Sequence, residues 1–135
     1  PILFDGVAEL LKELDGKAVP WGVVTNKPRR FTQPLLQNIG LLERAACVVS
    51  GDDAARPKPY PDTLLLACEL ADVSPEHCWY VGDAERDIVA GRAAGMQTVV
   101  ALYGYLSEED EPEKWGADVF VHAPLELLKL VNGKG

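Results

Sequence analysis

Four consecutive apolar residues, Cys78-Trp79-Tyr80-Val81, run straight into Gly82-Asp83, and an apolar spacing that suits a helix follows over Ile88–Met96. A short apolar run bounded by turn residues has the pattern of a buried strand. The same alternation of strand and helix patterns runs along the whole chain. It predicts helix Val7–Leu14, strand Val19–Thr25, helix Pro28–Ile39, strand Cys47–Ser50, helix Pro61–Ala71 and strand Cys78–Val81. Helix Arg86–Gly95, strands Thr98–Leu102 and Asp118–Val121, and a closing helix Leu125–Val131 complete it. Such alternation means an α/β fold, a doubly wound parallel sheet with helices on both faces. The 135 residues read as one domain, large enough to bury roughly two-thirds of its unfolded surface.

Open α/β sheets place ligands at the carboxyl ends of their strands, where Asp83 falls. Asp87 lies one helical turn further on and can point back to the same spot. Two converging carboxylates make a hard, oxygen-rich site of the kind Mg²⁺ prefers. The plainer reading is a turn or cap residue followed by a solvated acid of the first helical turn.

Two further segments bear on the choice. Trp21-Gly22-Val23-Val24-Thr25-Asn26 is a second apolar strand, ending in a hydroxyl and an amide. Such residues serve as ordinary turn formers, or with nearby backbone N–H groups they hold a phosphate. Arg56-Pro57-Lys58-Pro59-Tyr60-Pro61 sets a lysine between prolines before an apolar helix, and flanking prolines fix where its long side chain starts. Lys27, Arg29 and Arg30 follow Thr25-Asn26 as a solvated first turn or as substrate contacts.

In this order the three segments resemble the haloacid dehalogenase superfamily of phosphohydrolases. Its second motif looks like Val23-Val24-Thr25-Asn26, its third like Lys58-Pro59-Tyr60-Pro61, and its fourth like Gly82-Asp83-Ala84-Glu85-Arg86-Asp87. The flanking Gly6–Leu11 and Ala90–Met96 are similar to the phosphoglycolate phosphatase subgroup, whose neighbourhood includes bacterial enzymes acting on N-acetylmuramate 6-phosphate. The resemblance implies a Rossmann-like core and Mg²⁺-dependent hydrolysis of a small phosphorylated metabolite through an aspartyl-phosphate. It also implies Mg²⁺ at Asp83, with Asp87 in its first or second coordination shell. Lys58 would offset the charge of nucleophile and phosphate. Thr25 and the backbone N–H of Asn26 would bind phosphoryl oxygens.

The family's first motif, an apolar strand ending Asp-x-Asp-Gly-Thr, has no counterpart here. Aligning Ile2-Leu3-Phe4-Asp5-Gly6-Val7 puts either Leu3 at the nucleophile position or Val7 at the acid/base position, and neither can do the chemistry. The resemblance therefore implies the carboxyl-terminal part of such an enzyme's core, inactive by itself, with the first strand and cap outside it. In the family, the nucleophile strand lies between the strands that are here Val19–Thr25 and Cys78–Val81. Those two are accordingly expected not to pair directly. The slot would be filled by residues outside the sequence, by Pro1–Phe4, or by a strand swapped from a neighbouring copy in a homo-oligomer. Two rivals share features: a haloacid dehalogenase, which needs no Mg²⁺, and a non-catalytic binding domain. A phosphorylatable receiver domain has its acid pair first and its lysine last, the reverse of this order.

The net charge of −8 argues against nucleic acid or an anionic membrane as partner. An anionic substrate must then be drawn in by local positive groups and a metal. Cys47, Cys68 and Cys78 form no Cys-x-x-Cys pair and read as reduced core residues of a cytoplasmic protein. No apolar run is long enough to span a bilayer. Trp21, Trp79 and Trp115 read as core or edge aromatics, His77 and His122 as surface turn residues, and the acidic stretch Ser107–Glu113 as a solvated loop or short exposed helix.

Overall fold

Ten regular elements alternate along the chain in the computed structural model, which describes residues 6–104 and 107–132. They are α1 (Val7–Gly16), β1 (Gly22–Val24), α2 (Arg29–Asn38), β2 (Cys47–Val49), α3 (Asp62–Ala71), β3 (Trp79–Gly82), α4 (Glu85–Ala94), β4 (Gln97–Ala101), β5 (Val119–Val121) and α5 (Leu127–Asn132). Each predicted element is present in its predicted order, and the differences lie at the ends. β1 is shorter than expected because residues 17–19 finish the preceding helix. Ala18 takes a left-handed φ of 57°, and the Val19 N–H donates back to Leu14 O at 2.8 Å. The closing helix starts later because Pro124 opens a 3₁₀ turn, Pro124–Glu126, ahead of α5.

Among the described residues all strand pairings are parallel and fall into two ladders, β1–β2 and β3–β4–β5. Val23 stands opposite Val48, Val81 opposite Val99, and Val99 opposite Val119. No ladder among these residues joins β1 to β3, in line with the expectation that these two strands do not pair. Pro1–Phe4, one candidate for the slot between them, lies outside the described residues.

Strand side chains alternate between faces, and β1 uses this to serve both helix layers. Val23 points into a cluster built on Leu10, Leu11, Leu14, Leu36 and Leu41 of α1, α2 and the following turn, joined by Leu127 and Leu128 of α5. Val24 and Tyr80 point the other way, into a cluster with Leu64 of α3 and Ala90 and Ala94 of α4. α3 lies over β1 and β2, α4 lies over β3 and β4, and the two helices touch. This shared layer spans the two ladders. Leu64 and Ile88 are fully buried, each worth roughly 1.5–3 kcal/mol of burial. Leu64→Ala, at about 2–5 kcal/mol, is the single change that would most loosen the α3–α4 layer.

The remaining readings resolve simply. Ser107–Glu113 is exposed apart from a half-buried Pro112, which begins a 3₁₀ turn, Pro112–Lys114. Trp21, Trp79 and Trp115 are half-buried, and His77 and His122 are exposed beside turns. The three cysteines are unpaired, with Cys68 buried and the other two half-buried. Among the described residues no helix is long and apolar enough to cross a membrane.

Candidate active site

β3 ends at Gly82, and Asp83 and Ala84 turn the chain into α4, whose third residue is Asp87. Helix amino termini leave backbone N–H groups without intrahelical partners. Asp87 reaches back to accept from the Asp83 and Ala84 N–H groups, both at 3.1 Å, through Oδ2. Glycine is required just before this turn: a Cβ on Gly82 would lie 2.2 Å from Asp87 Cβ. Its absence lets a buried carboxylate sit directly against the strand end.

The other oxygen of Asp87 takes the ammonium of Lys58, with Nζ donating to Oδ1 at 2.6 Å. Both side chains are more than nine-tenths buried, and buried charges persist where they are paired and hydrogen-bonded. Lys58 Nζ also donates to the Tyr80 hydroxyl at 2.9 Å and approaches Val24 O at 3.5 Å. The Tyr80 hydroxyl in turn donates to Val24 O at 3.4 Å. The Lys58 and Tyr80 side chains thus link β3 to the edge of β1, although no backbone ladder does.

Lys58 is held at its backbone as well. Asn26 Nδ2 donates to Lys58 O at 3.1 Å, and Lys58 N donates to Asn26 Oδ1 at 2.9 Å. Asn26 therefore holds the lysine loop through its side chain, a role the sequence reading did not give it. Thr25 continues the β1 edge. Its N–H donates to Val49 O at 3.0 Å, and its hydroxyl accepts from Lys27 N at 3.2 Å.

Val24, Lys58, Tyr80, Asp83 and Asp87 line one cleft of about 240 Å³. Lys58, Asp83 and Asp87 therefore meet as expected. Asn26 joins them through the lysine loop, and Thr25 adjoins through its neighbour Val24 without lining the cleft. The loop leaving β4 closes one side, since a Cβ on Gly104 would lie 2.5 Å from Asp83 Oδ2. Burial pushes the Tyr80 and Tyr103 phenols up, and the charge of Asp87 and then Asp83 adds to it at Tyr80, that of Asp83 at Tyr103. The phenol of Tyr80 is therefore a neutral hydrogen-bonding group at neutral pH.

Among the described residues no cluster of three His, Cys, Asp or Glu side chains could hold a metal by itself. Mg²⁺ asks less of a protein: it keeps several waters and is held by one or two carboxylates together with substrate phosphate. The Asp83 carboxylate beside the cleft fits that demand. Asp87 has both oxygens committed to Lys58 and to the turn amides, which suits support from behind rather than direct ligation.

The basic residues after β1 divide. Arg29 pairs with Asp53 and donates its backbone N–H to Asp52, so it braces the two loops, and Arg30 stacks over Phe31 at 4.9 Å. Lys27 is exposed. The sequence reading missed the role of the Tyr80 hydroxyl. Its signal was there: a polar tip inside an otherwise apolar strand, two residues before the Gly-Asp turn.

Residues 2–101 match the haloacid dehalogenase-like hydrolase family. Over 130 residues the chain is 47% identical to N-acetylmuramic acid 6-phosphate phosphatase of Pseudomonas putida, covering 96% of this chain and 58% of the relative. It is 46% identical over 125 residues to phosphoglycolate phosphatase of Xanthomonas campestris pv. campestris, covering 93% and 57%. Among solved structures, CbbY from Rhodobacter sphaeroides in complex with phosphate superposes with a TM-score of 0.79 at 27% identity, over 91% of this chain and 55% of that one. The chain spans somewhat under three-fifths of the length of these curated relatives. A lysine, two acids and a strand-end hydroxyl in family order, on a parallel α/β core with such relatives, leave one assignment: the chain belongs to the haloacid dehalogenase-like hydrolase family.

Proposed function

We propose that the protein hydrolyses the phosphate monoester of a small metabolite with the help of Mg²⁺. Lys58 carries this reading. Its ammonium is buried, paired with Asp87, and placed beside Asp83 in a cleft at the strand ends. A chain with net charge −8 needs such a local cation to admit an anion. Lys58 would offset the charge of the phosphoryl group and of the carboxylate that attacks it. Asp87 would hold that ammonium in place and keep the Asp83 turn closed. Asp83 would be the metal carboxylate, and Thr25 with the Asn26 N–H would meet the phosphoryl oxygens that are not transferred. Mg²⁺ bound at Asp83 would supply charge neutralisation in the transition state. Positioning and electrostatics dominate phosphoryl transfer, which is what these residues offer.

The relatives favour a hydroxy-acid or amino-sugar phosphate as substrate. The attacking aspartate would come from residues outside the motifs found here, so the present residues alone are proposed to be inactive. A strand entering between β1 and β3, from the full-length chain or a second copy, would complete the sheet. Three unpaired thiols support a reducing compartment such as the cytoplasm.

The test is release of inorganic phosphate by the full-length protein from 2-phosphoglycolate and N-acetylmuramate 6-phosphate, with Mg²⁺ and with a chelator. Turnover that the chelator abolishes is expected. Absence of turnover on these and on a generic aryl phosphate, or turnover indifferent to the chelator, would overturn the reading.

A further inference from the structure

We infer that Asn26 and Tyr80 are positioning residues that act through Lys58, one fixing where its side chain starts and the other where it ends. The inference rests on the phosphohydrolase reading of the same cleft. Lys58 stands between Pro57 and Pro59, which have no N–H to give, so its own N–H is the one backbone donor of that tripeptide. Asn26 takes this donor and returns its amide N–H to the Lys58 carbonyl, at 2.9 and 3.1 Å. The reciprocal pair ties the lysine loop to the end of β1 across 32 positions of sequence.

At the far end, an ammonium has three protons to place. Asp87 takes one at 2.6 Å and the Tyr80 hydroxyl another at 2.9 Å. The third meets Val24 O only at 3.5 Å, at the limit of a hydrogen bond, and so remains available to an anion in the cleft. The Tyr80 hydroxyl shares in this arrangement by accepting from Nζ while its own proton faces Val24 O at 3.4 Å, a contact as weak as that of the ammonium. Its ring centroid lies 5.5 Å from Nζ. Phenylalanine at this position would keep the ring and its packing and lose only the hydroxyl that accepts from Nζ.

The experiment compares Y80F, N26A and N26D in the full-length protein, each alone and in a K58M background. Loss of the hydrogen bond to the ammonium in Y80F, and of the two backbone hydrogen bonds that hold the lysine loop in N26A, should each lower kcat by about tenfold. The apparent affinity for Mg²⁺ should change far less than kcat, because the hydrogen bonds shown for these two side chains end on Lys58 and Val24 rather than on Asp83. In the K58M background neither change should lower kcat further, since residues acting through one group are not additive. A further tenfold loss there, or wild-type kcat in Y80F, would overturn the inference. N26D keeps the acceptor and the shape and loses the donor, and it carries the asparagine test if N26A does not fold. A second measurement separates this inference from the functional reading. The Lys58 ammonium should give a slowly exchanging ¹H–¹⁵N signal in the wild type that is lost in Y80F. If the protein hydrolyses no monoester yet that signal disappears in Y80F, the function fails and the positioning stands. An unchanged signal overturns the positioning.

Discussion

Replacing Lys58 by methionine keeps most of the side-chain volume and removes the cation hydrogen-bonded to Asp87. In the wild type the pair is 2.6 Å apart, with side-chain exposures of 8% and 7%. Removing one partner of a buried pair costs about 3–5 kcal/mol, because the remaining charge is left in a poor solvent. Asp87 keeps two N–H partners on Oδ2, and the neighbouring cleft admits water, so the low end, about 3 kcal/mol, is expected. For a domain of this size that is a fall in Tm of about 10 °C. The informative comparison is the double variant K58M/D87N. Asparagine still offers the turn an oxygen and carries no charge, so the double variant should recover at least about 1 kcal/mol over K58M alone. Urea unfolding at pH 7 with a common m-value reads both quantities. A loss under about 1 kcal/mol in K58M, or a double variant no more stable than the single, would refute the claim that this ion pair is a buried, mutually dependent unit.

Three other outcomes follow from the same geometry. Gly82→Ala would drive a Cβ to 2.2 Å from Asp87 Cβ; shifting α4 to relieve it should cost about 1–3 kcal/mol and lower Tm, and a Tm within a degree of wild type would count against the close approach. The Arg29 guanidinium, aided by the Ser50 N–H, holds the Asp53 carboxyl below its usual value of 3.8. Its contribution to stability is therefore present above the unfolded value and is lost as pH falls through the lowered folded one, so Arg29→Gln should flatten stability against pH below about pH 5 in urea titrations. Burial first, then contact with Cys78, pushes the Cys68 thiol up to about 12. Iodoacetamide at about pH 8 should thus label Cys47 and Cys78 before Cys68, and peptide mass spectrometry showing Cys68 labelled first would contradict that burial.

What could be read in advance, and what could not, divides along a physical line. Apolar or β-branched runs such as Cys78–Val81 and Thr98–Val100 are set by burial, which is a local property of sequence, so the order and type of the elements were legible. Their ends depend on single backbone choices, such as the left-handed Ala18 that takes Val19 out of β1, and no periodicity reports those. That Asp83 and Asp87 share a site followed from one rule, that strand ends of a parallel sheet hold its ligands, and that Lys58 joins them was implied by the family resemblance. The division of labour between them did not follow. Whether Asp87 would ligate a metal or brace a lysine depends on which way each oxygen points. That is decided by Gly82 letting the helix approach and by Asn26, 32 residues upstream of Lys58, setting the height of the lysine loop.

The same division explains why two roles missing from the sequence reading, the Asn26 side chain's hold on Lys58 and that of the Tyr80 hydroxyl, matter to the chemistry. Motif logic selects groups that could touch phosphate, and neither the Asn26 amide nor the Tyr80 hydroxyl needs to. A flexible lysine aimed at a carboxylate would by itself collapse onto it and spend its charge there. Holding it by its backbone at one end and sharing its protons with a neutral phenol at the other leaves one N–H only weakly committed, to Val24 O at 3.5 Å. The phenol is neutral at neutral pH, as any tyrosine is, so it accepts from the ammonium without competing for its charge. On the function proposed for the cleft, its capacity for an anion would be built as much by these two neutral groups as by the charged residues of the motifs.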